Sequence, residues 1–218
     1  MEFSINAVTR RQLFQGAFAV LGTLVGSRVG YAAATARDAE NAKALVGRLV
    51  EHILQVISSD RDSQGQERRL MAAIESQTDL SLLARMTIGR YWRRATIQQR
   101  EAFVELFREY LLKSFTLRLK SYAGADMGGA KDHFSIIGAR AVGKNDVVVR
   151  SRIEPPAGAA LQVDWRLRAK NERLFVIDLV VEGVSLLITQ RSEFGSVLER
   201  IGMDGLITEL RTRVARLT

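Results

Sequence analysis

Leu161-Gln162-Val163-Asp164-Trp165-Arg166-Leu167-Arg168 decides the fold. Apolar Leu161, Val163, Trp165 and Leu167 alternate with polar Gln162, Asp164, Arg166 and Arg168, the period-2 pattern of a strand with one buried and one wet face. Upstream, Val147, Val149 and Ile153 oppose Val148, Arg150 and Arg152 in the same way. Pro155-Pro156-Ala157-Gly158 fits a turn between these strands, and Lys170-Asn171-Glu172-Arg173 a turn into the next, so the segment predicts an antiparallel meander. The strand Leu174–Val181 has one apolar set, Phe175, Ile177, Leu179 and Val181, and a second that is mostly apolar, Leu174, Val176 and Val180. It is expected to be central or covered on both faces.

The meander is bracketed by helices. Both prolines of the chain are Pro155 and Pro156, so nothing from Thr35 to Glu154 interrupts a helix by ring closure. From Asp38 to Ser58, residues Ala42, Leu45, Val46, Leu49, Ile53, Val56 and Ile57 recur at three- and four-residue steps on one helical face. Shorter helices are expected over Gln66–Glu75 and Leu80–Ile88. Thr96 with Gln99 reads as a capping box, and Phe103, Leu106, Phe107, Tyr110, Leu111 and Phe115 continue a bulky stripe towards Tyr122. Beyond the sheet, Ser185–Arg200 and a second segment opened by Asp204 are both amphipathic. The whole predicts an α+β fold: an antiparallel β-sheet meander wrapped by amphipathic helices.

At the N-terminus, Arg10 and Arg11 precede the uncharged stretch Gln12–Ser27, and Ala32-Ala33-Ala34 leads into polar sequence. This is the layout of an export signal, expected to occupy residues 1–34 and to be cleaved, leaving 35–218 as a single domain. The stretch is diluted by Gly16, Gly22 and Gly26 and is shorter than the about 20 apolar residues a spanning helix needs. Thr9-Arg10-Arg11-Gln12-Leu13-Phe14 resembles a twin-arginine signal; an ordinary secretory signal is the other route, and both lead out of the cytoplasm. The net charge of +8 favours anionic partners, and for an exported chain that means acidic lipid or protein rather than nucleic acid.

Composition narrows the chemistry further. With 47% hydrophobic and 26% charged residues the chain reads as globular, and the absence of Cys removes disulfides, thiolate metal sites and a Cys nucleophile. Phosphate-loop, dinucleotide, zincin and nucleophile-elbow signatures are all missing. His52 beside Glu51 reads as a surface pair, and His133, at the opening of a strand, as a satisfied or solvated imidazole. Asp178 interrupts an apolar face and requires a partner if buried; a structural hydrogen bond or ion pair is preferred to a general base. No enzyme activity, metal or cofactor is expected. On pattern alone, the bulky apolar stripes facing the sheet describe either an ordinary core or the walls of a cavity.

Two blocks carry a resemblance. Ile88-Gly89-Arg90-Tyr91-Trp92-Arg93-Arg94-Ala95-Thr96, followed by Gln99-Arg100-Glu101-Ala102-Phe103 and Phe107, resembles a stretch of the MlaC-type periplasmic phospholipid-binding proteins, the toluene-tolerance family. Val180-Val181-Glu182-Gly183-Val184-Ser185-Leu186, Gln190-Arg191-Ser192-Glu193-Phe194 and Gly202-Met203-Asp204-Gly205-Leu206-Ile207 resemble its C-terminal part, so the likeness covers about Asp38 to the C-terminus. Thr189-Gln190 and Ile201 depart from the residues usual there.

The resemblance implies a soluble, monomeric phospholipid carrier of the periplasm, with acyl chains in an apolar pocket and the headgroup at its mouth near basic or polar groups. It also implies two partners, an inner-membrane ATP-driven lipid transporter complex and an outer-membrane lipoprotein complex. Carriage of another apolar lipid such as a hopanoid, or a non-lipid envelope interaction module, remain the other readings. Under the carrier reading the pocket residues are Met86, Tyr91, Trp92, Phe103, Phe107, Tyr110, Leu111 and Phe115 from the helices, with Ile153, Val163, Trp165, Ile177, Leu179, Val181, Val184 and Leu187 from the sheet side. Arg90, Arg93 and Arg94 are candidates for headgroup or partner contact, or equally for a solvated helix end. Opening of the pocket is expected near Gly124–Gly129 or Gly183, where glycine relaxes the backbone.

Overall fold

A computed structural model describes residues 29–59, 63–123, 133–154 and 159–217. Helices α1 (Val29–Ser59), α2 (Ser63–Ser76), α3 (Leu80–Ile88) and α4 (Ile97–Ala123) precede strands β1 (Phe134–Val142), β2 (Asp146–Ile153), β3 (Leu161–Lys170), β4 (Arg173–Val181) and β5 (Val184–Ser185), and α5 (Leu186–Arg216) closes the chain. The sheet is an antiparallel meander in the order β1-β2-β3-β4-β5, flanked by the helices, as the alternation predicts. Asn171 (φ 50°) and Glu172 (φ 62°) make the β3–β4 turn, and Glu182 (φ 48°) with Gly183 (φ 82°) the β4–β5 turn. Positive φ at both central residues is the geometry whose twist matches a hairpin. The expected turn at Pro155–Gly158 and the expected opening at Gly124–Gly129 lie outside the described residues, as does most of the predicted export signal. Helix α1 begins upstream of Asp38, where the periodicity starts.

Three apolar clusters hold the molecule. The first joins the inner sheet face, Val147, Val149, Val163, Trp165, Leu167 and Val176, to Ala42, Val46, Leu49, Ile53 and Val56 of α1 and to Leu70 and Ala73 of α2. The second gathers α3, α4 and α5 around three rings: Phe103 stacks on Phe107 at 5.8 Å, and Phe194 meets them edge-on at 5.9 and 6.2 Å. Such pairs add about 0.5–1.5 kcal/mol each beyond burial of their area. A small third cluster links Ile74, Leu80 and Leu112.

The outer sheet face is charged and internally paired. Asp146, buried beneath Arg166 and Arg168, accepts from both guanidinium groups at 2.7–2.9 Å, and Arg150 meets Asp164 at 3.1 Å. The bonds from Arg168, followed by those from Arg166, hold the Asp146 carboxyl below the usual carboxylate range despite the opposing effect of burial.

Helix α4 starts on the expected capping box. Gln99 N donates to Thr96 Oγ1 (3.1 Å) and Thr96 N donates to Gln99 Oε1 (3.0 Å). The tail is two helical segments, as expected, which meet within α5 at a kink at Gly202, whose φ of 69° and ψ of −167° no helix contains. That backbone suits glycine because a Cβ would be strained there.

One expectation is corrected. In β4, Arg166 pairs with Asp178 and Leu167 with Val176, so Ile177 is an extra residue opposite a single step of β3. The bulge shifts the phase of the alternation. Leu179 and Val181 therefore share the first cluster with Val176 and Leu174, Ile177 joins the second cluster, and Phe175 lies under the Arg173 guanidinium, 5.1 Å from its ring centroid. Consecutive Val176, Ile177 and Asp178 are all buried, so β4 is covered on both faces as expected.

Candidate functional site: an apolar cavity at the seam of three clusters

A cavity of about 230 Å³ lies where the three clusters meet. Leu49 and Ile53 of α1, Ile74 and Thr78 from the end of α2, Leu83 and Thr87 of α3, and Phe107, Tyr110, Leu111, Ser114 and Phe115 of α4 form its helical walls. Trp165 and Val176–Leu179 form the sheet wall, and Leu186, Leu187, Thr189, Gln190 and Glu193 of α5 close it. Thr189 and Glu193 are the exposed residues of this set, which puts a mouth along the first turns of α5.

Its polar wall atoms are mostly committed to the fold. Trp165 Nε1 donates to Ser151 Oγ at 2.9 Å, and that hydroxyl donates onward to Val163 O at 3.0 Å, so the indole sits in the wall with its N–H satisfied. Thr87 Oγ1 donates to Ala84 O (2.7 Å), Ser114 Oγ to Leu111 O (3.2 Å) and Thr189 Oγ1 to Ser185 O (2.9 Å). Asp178, 9% exposed, accepts from Ser185 Oγ (2.6 Å) and from Leu187 N (3.0 Å), while Ser185 Oγ accepts from Ile188 N (3.0 Å). A carboxylate and a hydroxyl thus cap α5 together, favourably placed at the positive end of its dipole. This is the structural hydrogen bonding expected of Asp178. Beside the cavity, Arg108 grips Glu75 with two bonds of 2.6 and 2.8 Å and ties α4 to α2. Those bonds lower the Glu75 pKa.

Of the residues singled out in the sequence, Phe107, Tyr110, Leu111, Phe115, Trp165, Ile177, Leu179 and Leu187 line the cavity. Met86, Tyr91, Trp92 and Phe103 pack within the second cluster, Ile153, Val163 and Val181 within the first, and Val184, 57% exposed, sits beside the β4–β5 turn. Arg90, Arg93 and Arg94 are exposed at the 3₁₀ turn Gly89–Arg93 and just after it, away from the cavity wall. Arg90 Nη2 donates to Glu199 Oε1 at 3.0 Å and to the Tyr91 hydroxyl at 3.1 Å. Sequence reasoning missed Leu49 and Ile53, which it had placed on a core stripe, Leu83, which it had not singled out, and Thr78, Ser114, Gln190 and Glu193, whose polar side chains carry no apolar signal. Among the described residues no group of three metal-ligating side chains converges, and no helix is long and apolar enough to cross a membrane.

A family model described as "MlaC protein" matches residues 47–212, most of the chain and every wall of the cavity. The chain belongs to the MlaC family. The intermembrane phospholipid transport system binding protein MlaC of Haemophilus influenzae is 27% identical over 128 residues, 57% of this chain. That match spans 56% of the relative's own length. The fold is shared with a solved phospholipid-binding protein from Ralstonia solanacearum, described as in complex with a phospholipid. The TM-score is 0.66 at 24% identity, over 80% of this chain and 97% of that one. MlaC membership agrees with the two blocks on which the resemblance was read, since both lie within the matched span.

Proposed function

We propose that this MlaC-family chain is a soluble periplasmic phospholipid carrier that shuttles lipid between outer and inner membranes. The observation that carries the reading is the apolar cavity at the seam of the three clusters. An aqueous carrier must replace the dry environment that acyl chains lose on leaving a bilayer. At about 0.8 kcal/mol per CH₂, two chains of some 30 carbons represent on the order of 20 kcal/mol. Phe107, Leu111, Phe115, Trp165, Ile177, Leu179 and Leu187, with Leu49 and Ile53, supply that environment, and the headgroup stays at the mouth beside α5.

The cavity as it stands is smaller than the about 300–1,000 Å³ of pockets that hold drug-sized ligands, so two chains require it to widen. Its location makes this inexpensive. Walls belonging to different clusters can part while the contacts inside each cluster persist, whereas a cavity inside one core would break that core's own packing. Residues 1–34 serve as the cleaved export signal and 35–218 as the single lipid-binding domain. The partners are an inner-membrane ATP-driven transporter complex, which the chain supplies or relieves of lipid, and an outer-membrane lipoprotein complex.

The test is mass spectrometry of an organic extract of protein purified without detergent, against a similarly basic exported protein. Near-stoichiometric phospholipid is expected. An empty extract, together with failure to take up labelled lipid from vesicles, would refute carriage and leave an interaction module. A hopanoid in the extract would keep the pocket and change the cargo.

A further inference from the structure

No cation among the described residues lines the cavity. Among the described residues lining it the charged ones are Asp178 and Glu193, both carboxylates, in a chain whose net charge is +8. An anionic headgroup would ordinarily find two hosts at such a mouth: a free guanidinium, or the N-terminus of the adjacent helix. Neither is open among the described residues that line the cavity. The Leu187 and Ile188 amides of α5 already donate to Asp178 and Ser185, each at 3.0 Å. Arg213, which also reaches the Tyr110 side chain of the wall, is held by Glu209 at 2.5 Å and lies 3.6 Å from Glu193 Oε2, so one cation faces two carboxylates. Glu193 accepts from Gln190 Nε2 at 3.2 Å through the same Oε2, and its side chain is 49% exposed. Glu193 thus stays half-exposed at the mouth, with a carboxylate able to accept from a ligand.

We infer that the mouth favours phospholipids whose headgroup carries an ammonium, the zwitterionic aminophospholipids, over those whose headgroup is only negative, with Glu193 the specificity-determining side chain. This rests on the carrier reading and gives it a substrate class. An ammonium beside Glu193 forms a charge-assisted hydrogen bond, while the phosphate it accompanies is shielded from the two wall carboxylates. A glycerol headgroup leaves that phosphate facing them unshielded. For a half-exposed pair the preference amounts to about two- to five-fold.

The full chain, stripped of lipid, is incubated with vesicles containing equal phosphatidylethanolamine and phosphatidylglycerol, re-isolated and extracted, and the two lipids are quantified per mole of protein. The bound ratio is expected to exceed the vesicle ratio by that factor, to fall towards the vesicle ratio in Glu193→Gln, and to invert in Glu193→Lys. Glu101→Gln, exposed near the start of α4 and away from the cavity wall, is expected to keep the parent ratio. Lipid bound at the vesicle ratio by the parent, or a preference unchanged in Glu193→Gln with an unaltered melting curve, overturns this inference alone. No lipid of either kind on the parent overturns the carrier reading and this inference with it.

Discussion

Ser114→Phe separates the cavity from the core by moving two observables in opposite directions. Ser114 lies on the α4 wall, half-buried, its hydroxyl bonded to Leu111 O one turn back at 3.2 Å. A phenyl ring placed there enters open space rather than packed atoms. Empty volume costs about 24 cal/mol per Å³ in a closed core, so 230 Å³ sets a ceiling of about 5.5 kcal/mol for what complete filling could return. One phenyl ring fills part of it, and burying a Phe is worth about 1.5–3 kcal/mol before the loss of side-chain freedom and of the local hydrogen bond. A net gain of about 1–2 kcal/mol follows, which for a chain of this size raises the melting temperature by about 2–8 °C.

Lipid binding should fall at the same time. Displacing about three methylenes of an acyl chain removes about 2.4 kcal/mol, roughly a fifty-fold weaker affinity. The assay pairs a circular-dichroism melt of lipid-free protein with uptake of labelled phospholipid from vesicles. If Ser114→Phe melts above the parent and still takes up lipid as the parent does, acyl chains do not occupy this cavity. A lower melting temperature would show instead that the space beside Ser114 is not open, and would refute the geometry itself.

Three further outcomes follow from the fold. The folded pKa of Asp146 lies below its ordinary value, so its pairing with Arg166 and Arg168 stabilises the protein above about pH 4 and is lost as pH falls through the folded pKa. Asp146→Asn should cost about 1–2 kcal/mol at pH 7, with both arginines partly exposed, and flatten the acid limb of a stability–pH profile; an unchanged limb assigns acid sensitivity elsewhere. Gly202→Ala forces a Cβ into the φ 69°, ψ −167° backbone of α5 and should cost about 1–3 kcal/mol in chemical denaturation, whereas an unshifted midpoint would mean the kink is not required. Asp178→Asn keeps the shape of the α5 cap but removes its charge and one acceptor. A loss of about 1 kcal/mol is expected, with faster amide exchange at Leu187 and Ile188, and equal exchange rates would exclude Asp178 as the cap.

Strands β2 to β4, the α4 capping box and the β3–β4 turn were legible because each depends on residues close together in the chain. Trp165 alternates with charged neighbours, and Thr96 and Gln99 stand at the spacing a first turn requires. The β4 bulge was not legible: nothing between Leu174 and Val181 is glycine or proline, and the displaced phase becomes visible only against Arg166 and Leu167 on β3. The cavity wall was half legible for a related reason. Periodicity tells which residues leave water, so it found Phe107 and Leu111, but it cannot tell a filled interior from an empty one. Leu49 and Ile53 therefore read as core beside Val46, although they border open space. Polar Ser114 and Glu193 gave no signal because their part in the wall comes from what lies opposite them.

Trp165 gives the molecule an optical gauge. Its ring forms part of the cavity wall while its N–H is anchored to Ser151, so the indole keeps one orientation as the contents of the cavity change. Water or acyl chain against its free face would emit at different wavelengths. The other tryptophan, Trp92, lies off the cavity wall beneath the Arg100 guanidinium at 5.4 Å, and replacing it with Phe would leave a single emitter whose colour reads the filling of the cavity in real time.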